Sequence, residues 1–402
     1  MHDETLCLQN PPGDAAEFHS LVVPVHRAST IVFPTVEAYQ QRREAIYDGY
    51  SYGLYGTPTS RALERRIASL EGAAKTLVVQ SGFAAIVACT LACVGAGQTV
   101  LFPDNAYETL RPFAANFLAG LGVDVVFYDP MIGGDIGSLL TESVRLVWVE
   151  SPGSVTMEVQ DVAAVAGAAR RHGVKVAADN TWATALRFKP LDHGVDFSVS
   201  AVSKYLSGHS DVVMGCISVR DEELYRRLKD FSRYLGYGVS PDECSLVLRG
   251  LETLAVRLDR SETSALALAR WFADQPLVSD VRHPALASNP GHQYWARDFT
   301  GATGLFSVFL QDAARDRLAQ AVEAMQLFAI GASWGGTKSV VAVMDRTPPR
   351  TATTPAHTGP ILRFSIGLEH VDDLMADLAQ AMAKLQSPSS PGDVTRTPES
   401  PT

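Results

Sequence analysis

From residue 61 onward, charged amphipathic stretches alternate with short runs of β-branched and other apolar residues. The spacing predicts a helix over 62–70, a strand over 76–79, a helix over 82–93 and a strand over 99–102. A helix from about Tyr107, strands over 123–128 and 145–149, a helix over 162–171 and a strand over 174–178 continue the series. Such alternation predicts an α/β architecture with a mostly parallel central sheet and helices on both faces. Residues 246–258, rich in Leu and Arg, read as one long connecting helix. The last third alternates less regularly and closes with a strand over 361–366 and an amphipathic helix over 371–385, which suits a smaller α+β domain. The expected division is an N-terminal segment 1–58, an α/β domain 59–245, an α+β domain 246–386 and a tail 387–402. That tail is Ser, Pro and Thr with little to bury, and is predicted to be disordered.

In a sheet of this kind, ligands bind beyond the carboxyl ends of strands. The loops at those ends read Gln80-Ser81-Gly82, Asp104 to Tyr107, Glu150-Ser151-Pro152-Gly153 and Asp179-Asn180-Thr181, all polar or small. Composition narrows what they could hold. With a net charge of -10 there is no concentrated basic surface for nucleic acid. No apolar run is long enough to span a bilayer. Residues 1–6 carry Asp3 and Glu4 and no apolar core, unlike a signal or transit peptide, so the cytoplasm is expected. The five cysteines are odd in number and scattered, unlike a disulfide framework. Cys89 and Cys93 share a helical i, i+4 spacing, but no His or acid stands near them to complete a metal-ligand set.

Only seven lysines occur, and Lys204 has the most unusual setting, Ser203-Lys204-Tyr205-Leu206-Ser207-Gly208-His209-Ser210-Asp211. Alone it also suits a surface lysine before a turn. Upstream, Asp179 ends an apolar strand in Val-Ala-Ala-Asp-Asn-Thr-Trp. A carboxylate there either caps the following helix or needs a cationic partner such as a protonated pyridine nitrogen.

Nine stretches in order carry a resemblance: 52–59, 81–86, 104–109, 150–159, 178–184, 203–211, 248–254, 333–336 and 362–369. Together they resemble the PLP-dependent Cys/Met metabolism (transsulfuration) enzymes, and most closely bacterial cystathionine β-lyases. The resemblance implies the type I PLP-transferase fold of aspartate aminotransferase, and a homotetramer of dimers in which residues 1–58 contact the neighbouring subunit. It implies that Lys204 carries pyridoxal 5'-phosphate and shuttles protons, that Asp179 holds the pyridinium protonated, and that Tyr107 stacks on the ring. The amides of Gly82 and Phe83 would cradle the phosphate at a helix N-terminus, with the Ser203 hydroxyl beside them and Tyr52 nearby. Arg363 would clamp the carboxylate of an amino-acid substrate, and Ser333, Trp334 and Tyr55 would line the pocket. The reaction implied is removal of the α-proton, then expulsion of a thiolate from Cβ, leaving pyruvate and ammonia. The motifs Glu150-Ser151-Pro152-Gly153-Ser154 and Ser333-Trp334-Gly335-Gly336 resemble the β-lyase branch rather than γ-synthases and γ-lyases.

Against the family pattern, Leu54 stands where an arginine usually reaches the cofactor phosphate of the neighbouring subunit, with Arg61 as a candidate substitute. Tyr55, Pro112, Ala332 and Lys338 depart where the distal end of the substrate would lie, which admits a smaller or more apolar S-substituted cysteine in place of cystathionine. A γ-replacement transferase would keep the same cofactor residues, and a weakly catalytic PLP-fold binding protein is a third reading. The run Gly331-Ala332-Ser333-Trp334-Gly335-Gly336-Thr337-Lys338-Ser339 nearly spells a P-loop, but its lysine falls one position late. His209 is expected to order the loop after Lys204 rather than act as a base.

Overall fold

The computed structural model describes residues 1–9 and 20–386; the tail expected to be disordered, 387–402, lies outside them. Seven strands form the larger sheet: β1 (Lys75–Val79), β2 (Thr99–Pro103), β3 (Asp124–Tyr128), β4 (Val144–Glu150), β5 (Lys175–Asp179), β6 (Phe197–Ser200) and β7 (Gly215–Val219). Their order is β1-β7-β6-β5-β4-β2-β3, and β7 alone runs antiparallel to both neighbours. The inner strands are buried at nearly every position because both faces are covered. On one face Gly82–Cys93 packs Ala85, Ala88 and Cys89 against Phe102, Trp148 and Val199. On the other, Val162–Arg171 packs Val165 and Ala169 against Val147 and Val176.

The smaller sheet comprises β8 (Val278–Arg282), β9 (Leu305–Leu310), β10 (Ala329–Ile330), β11 (Val340–Met344) and β12 (Ile361–Ser365). Its order is β10-β11-β12-β9-β8, antiparallel except between β10 and β11. The helices Leu254–Ala273 and Val371–Gln386 cover one face of it through Leu268, Phe272, Leu374 and Leu378.

Two expectations change. Residues 246–258 are not one helix: Pro241–Leu251 ends and Leu254–Ala273 begins around Glu252 and Thr253. The Gly250 carbonyl is taken by the Thr253 N–H at 3.2 Å and by Arg257 Nη2 at 2.7 Å, so the helical ladder breaks there. The helix expected from Tyr107 starts at Leu110 and widens into a π-turn over Phe113–Leu118. Tyr107 stays outside it, with its N–H donating to Glu150 Oε2 at 2.8 Å.

Candidate active site

A cavity of about 550 Å³ opens where the carboxyl ends of β4, β5 and β6 meet the smaller sheet. Gly82, Phe83, Tyr107, Asp179, Ser203, Lys204, Ser333, Trp334 and Arg363 all line it, although they come from segments up to 281 residues apart in sequence. Lys204 sits in the turns after β6; its N–H donates to Ala201 O at 3.0 Å and its carbonyl accepts from Gly208 at 2.8 Å. Its Nζ donates to Ser333 Oγ at 2.6 Å and lies 5.3 Å from the Trp334 ring centroid. Burial, together with the charge of Arg363, lowers its pKa from 10.5 to about 8, against the opposing pull of Asp179.

Asp179 ends β5. Its Oδ1 accepts from the Thr181 N–H at 2.9 Å and the Thr181 hydroxyl at 2.5 Å, which leaves Oδ2 for a donor in the cavity. Burial raises its pKa, opposed first by the Thr181 hydrogen bonds and then by the Lys204 charge. The residue therefore combines the two sequence readings: one oxygen fixes the local turn, and the other suits a cation. Glu150 lies level with it across the β4–β5 ladder and is buried, and burial followed by the Asp179 charge drives its pKa well up. The sequence reading quoted Glu150 in its loop but gave it no role. The available signal was its place at the end of an apolar strand, the same signal that singled out Asp179.

At the opposite wall, Ser81 caps the helix Gly82–Cys93 by accepting from Ala84 N at 3.0 Å. The amides of Gly82 and Phe83, at its first two positions, have no acceptor within the helix, so they present an anion-binding end. A Cβ on Gly82 would fall 2.5 Å from the Ala201 Cβ, so only glycine lets this helix end approach the loop leading to Lys204. Ser203 lines the cavity, but its hydroxyl exchanges hydrogen bonds with the Met214 backbone, donating at 3.1 Å and accepting at 2.9 Å. It is tied to the scaffold rather than held open for an anion.

Arg363 projects from β12 and donates to Ser154 O at 3.1 Å and Ala332 O at 2.8 Å. Burial lowers its pKa, while Glu108, Glu150 and Tyr107 support the charge. Gly335, which the sequence reading placed in a motif without a role, adopts φ +88°, and a Cβ there would lie 3.0 Å from Lys204 C. His209 Nδ1 lies 2.7 Å from Ser207 O, in keeping with a loop-ordering part. The P-loop-like run leads into β11, a strand, so no helix end follows it.

Tyr52 and Tyr55 do not line this cavity. They pack edge to face with each other at 5.6 Å, and the Arg233 guanidinium lies 5.1 Å from the Tyr55 ring. Arg61 cannot stand in for the arginine missing at Leu54, because it is buried and bonded to Glu64 at 2.9 Å, Tyr225 at 3.0 Å and two backbone carbonyls. The loop beyond Met344 is held by Asp104, whose carboxylate accepts the N–H groups of Thr351, Ala352 and Thr353 at 2.9–3.1 Å.

The donor set fits pyridoxal phosphate. It offers an amine with a lowered pKa, a buried carboxylate with one oxygen uncommitted, and a glycine-opened helix end for a phosphate. Residues 4–383 match the family model described as Cys/Met metabolism PLP-dependent enzyme. The chain belongs to that family. Its fold is accordingly the type I PLP-transferase fold, and its cofactor is pyridoxal 5'-phosphate. Among family members, the chain is 38% identical over 370 residues to the cystathionine beta-lyase of Escherichia coli K12, covering 90% of this chain and 93% of that one. It is also 38% identical over 378 residues to the L-alanine/L-glutamate racemase of Wolbachia pipientis wMel, covering 91% and 93%. The cystathionine gamma synthase of Xanthomonas oryzae pv. oryzae, solved with aminoacrylate and cysteine, superposes with a TM-score of 0.87 at 29% identity, over 96% of this chain and 99% of that one.

Proposed function

We propose that the chain is a carbon–sulfur β-lyase that cleaves L-cystathionine or a related S-substituted cysteine. The thioether R–S–CH2–CH(NH3+)–COO− and one water become RSH, pyruvate and ammonium. The Cα–H, Cβ–S and Cα–N bonds break: sulfur leaves with the bonding pair and takes a proton, nitrogen leaves as ammonium, water supplies the keto oxygen, and Cβ gains a proton to become the methyl group. The observation that carries this reading is the Lys204 amine, easily deprotonated, in one cavity with Asp179, the Gly82 helix end and Arg363.

When bound, pyridoxal phosphate supplies the electron sink for the charge left at Cα. The Gly82 and Phe83 N–H groups would hold its phosphate, and Asp179 would keep its ring nitrogen protonated. The Lys204 amine would anchor it and, when free, would remove the α-proton and return a proton to the leaving sulfur. Ser333 Oγ, 2.6 Å away, keeps the amine aimed into the cavity. Arg363 binds the substrate carboxylate with the N–H groups its two carbonyl contacts leave over. Tyr107, in the cavity wall, would stack on the cofactor ring. The reading includes a cytoplasmic location and a homotetramer; the apolar side chains the N-terminal segment exposes, among them Leu21, Val32 and Val36, support association of subunits. No helix among the described residues is long and apolar enough to cross a membrane.

The test is thiol and pyruvate release from cystathionine, cystine and S-alkyl-cysteines, with Lys204→Ala as control. Stoichiometric thiol and pyruvate from the native protein, lost in Lys204→Ala, is the expected result. Pyruvate released by Lys204→Ala at the native rate would overturn the role of the lysine. The racemase relative points to a second outcome, return of the proton to Cα, read as loss of optical activity in alanine. Incubating an O-acyl-homoserine with a thiol reads γ-replacement, the outcome that would replace the lyase reading.

A further inference from the structure

Behind the site lies a second cavity of about 540 Å³, within the span of roughly 300–1,000 Å³ usual for small-molecule sites. Tyr107, Ser154, Ala332 and Arg363 line both cavities, so the two meet there. Ala332 is exposed at this junction, and its methyl group leaves the passage open where a larger side chain would stand in it. The far wall comes from β11 and the loop after it: Ala342, Val343, Met344, Pro348 and Pro349. Val343 is 41% exposed although it belongs to a strand, so this wall presents uncovered apolar surface to the cavity.

The charges around this chamber are largely committed. Arg111 is paired with Asp104, and Arg350 with Glu158 at 2.7 Å. Arg363 is the cation assigned above to the carboxylate beside the reacting carbon. Glu108, exposed at the chamber, forms no salt bridge among the described residues, and its charge acts on Arg363 only at longer range. A substrate tail ending in a second amino-acid head would set its carboxylate near Glu108 and the Val343 wall, where the two further guanidiniums of the lining, Arg111 and Arg350, are already paired with Asp104 and Glu158, a costly desolvation. An apolar tail meets no such penalty and covers the Val343 wall.

We propose that this chamber receives the S-substituent of the substrate, and that the class it selects is cysteine thioethers with an uncharged, apolar substituent such as benzyl or branched alkyl. The inference rests on the β-lyase reading for the bond that breaks, and adds which thiol leaves. Ala332 is the specificity-determining position, because it sets the width of the passage.

The holoenzyme is assayed for kcat/KM with S-benzyl-cysteine, S-methyl-cysteine and cystathionine. S-benzyl-cysteine is expected to exceed the other two by about tenfold or more, the scale on which apolar pockets discriminate. Ala332→Phe, which narrows the passage, and Val343→Asp, which charges the wall, are each expected to lower the benzyl-to-methyl ratio about tenfold, chiefly through KM. Calorimetry with 3-(benzylthio)propanoate and 3-(methylthio)propanoate, which lack the amine and do not react, reads the chamber separately. The benzyl acid should bind more tightly to the native protein, and that preference should vanish in both variants. Equal or better turnover of cystathionine, or a ratio unmoved in both variants, overturns the chamber assignment while leaving the lyase reading intact. No pyruvate from any thioether, with the benzyl preference in calorimetry kept, refutes the lyase reading and supports the chamber.

Discussion

Water exclusion and the neighbouring Arg363 make the Lys204 amine easier to deprotonate than an exposed lysine, and the fold is destabilised by holding it charged. The sign follows from proton counting. With a folded pKa of about 8 against 10.5 in the unfolded chain, the unfolded state binds more protons between those values, so this residue's contribution to stability rises with pH across that window. Below pH 8 the full cost is present. Lys204→Met should therefore stabilise the cofactor-free protein by about 1–3 kcal/mol at pH 7, with the gain fading as pH approaches 10.5. Urea unfolding at pH 7 and pH 10 checks this; an equal gain at both would assign the effect to packing instead. Lys204 and Asp179 were legible in the sequence because each is a charged residue in an apolar or small-residue setting. Thr181, which orients Asp179, and Gly335, which makes room for the Lys204 backbone, were not, because their roles depend on approaches across the fold.

At the scale of elements, the strand ends did most to locate the site, since an apolar run followed by polar and small residues is visible without any tertiary contact. The helix Gly82–Cys93 has the bounds its sequence predicts, with Ser81 as a side-chain cap before it. The break near Thr253 was hidden because the Leu and Arg pattern continues through it, and what interrupts the ladder is a carbonyl claimed by the Arg257 side chain. The turn after β10 shows how elements position chemistry. Gly335 donates its N–H to Ser365 Oγ at 3.1 Å and sits against the backbone of Lys204. Gly335→Ala must displace one of the two, and a shift of about 1 Å in a reacting group costs on the order of a hundredfold in rate. The expected result is a kcat lower by about that factor, with the cofactor's visible absorption retained. An unchanged kcat would show that the turn yields instead of the lysine.

For the whole molecule, the N-terminal segment is the part the single chain leaves most uncovered: Leu21 is 92% exposed and Val32 87%. Tyr52 and Leu54 lie in the same segment, away from the cavity of their own chain. Arg61, buried and held through both its Nη atoms, does not replace the cation absent at Leu54. Leu54→Arg should then tighten cofactor retention roughly ten- to hundredfold, the worth of one charge-assisted hydrogen bond. Cofactor release on dialysis, followed by absorbance, measures it, and an unchanged dissociation constant would mean that the phosphate is satisfied without that charge. The fold class and the family were readable from the sequence, whereas the second chamber was not, since its walls come from segments more than 200 residues apart. The grip of Asp104 on the loop over that chamber has a consequence for substitution. It holds mainly backbone N–H groups, which every residue but proline possesses, so the side chains of Thr351, Ala352 and Thr353 can change without releasing the loop. Pro348 and Pro349, the part of that loop that walls the chamber, thus keep their place whatever side chains those three positions carry.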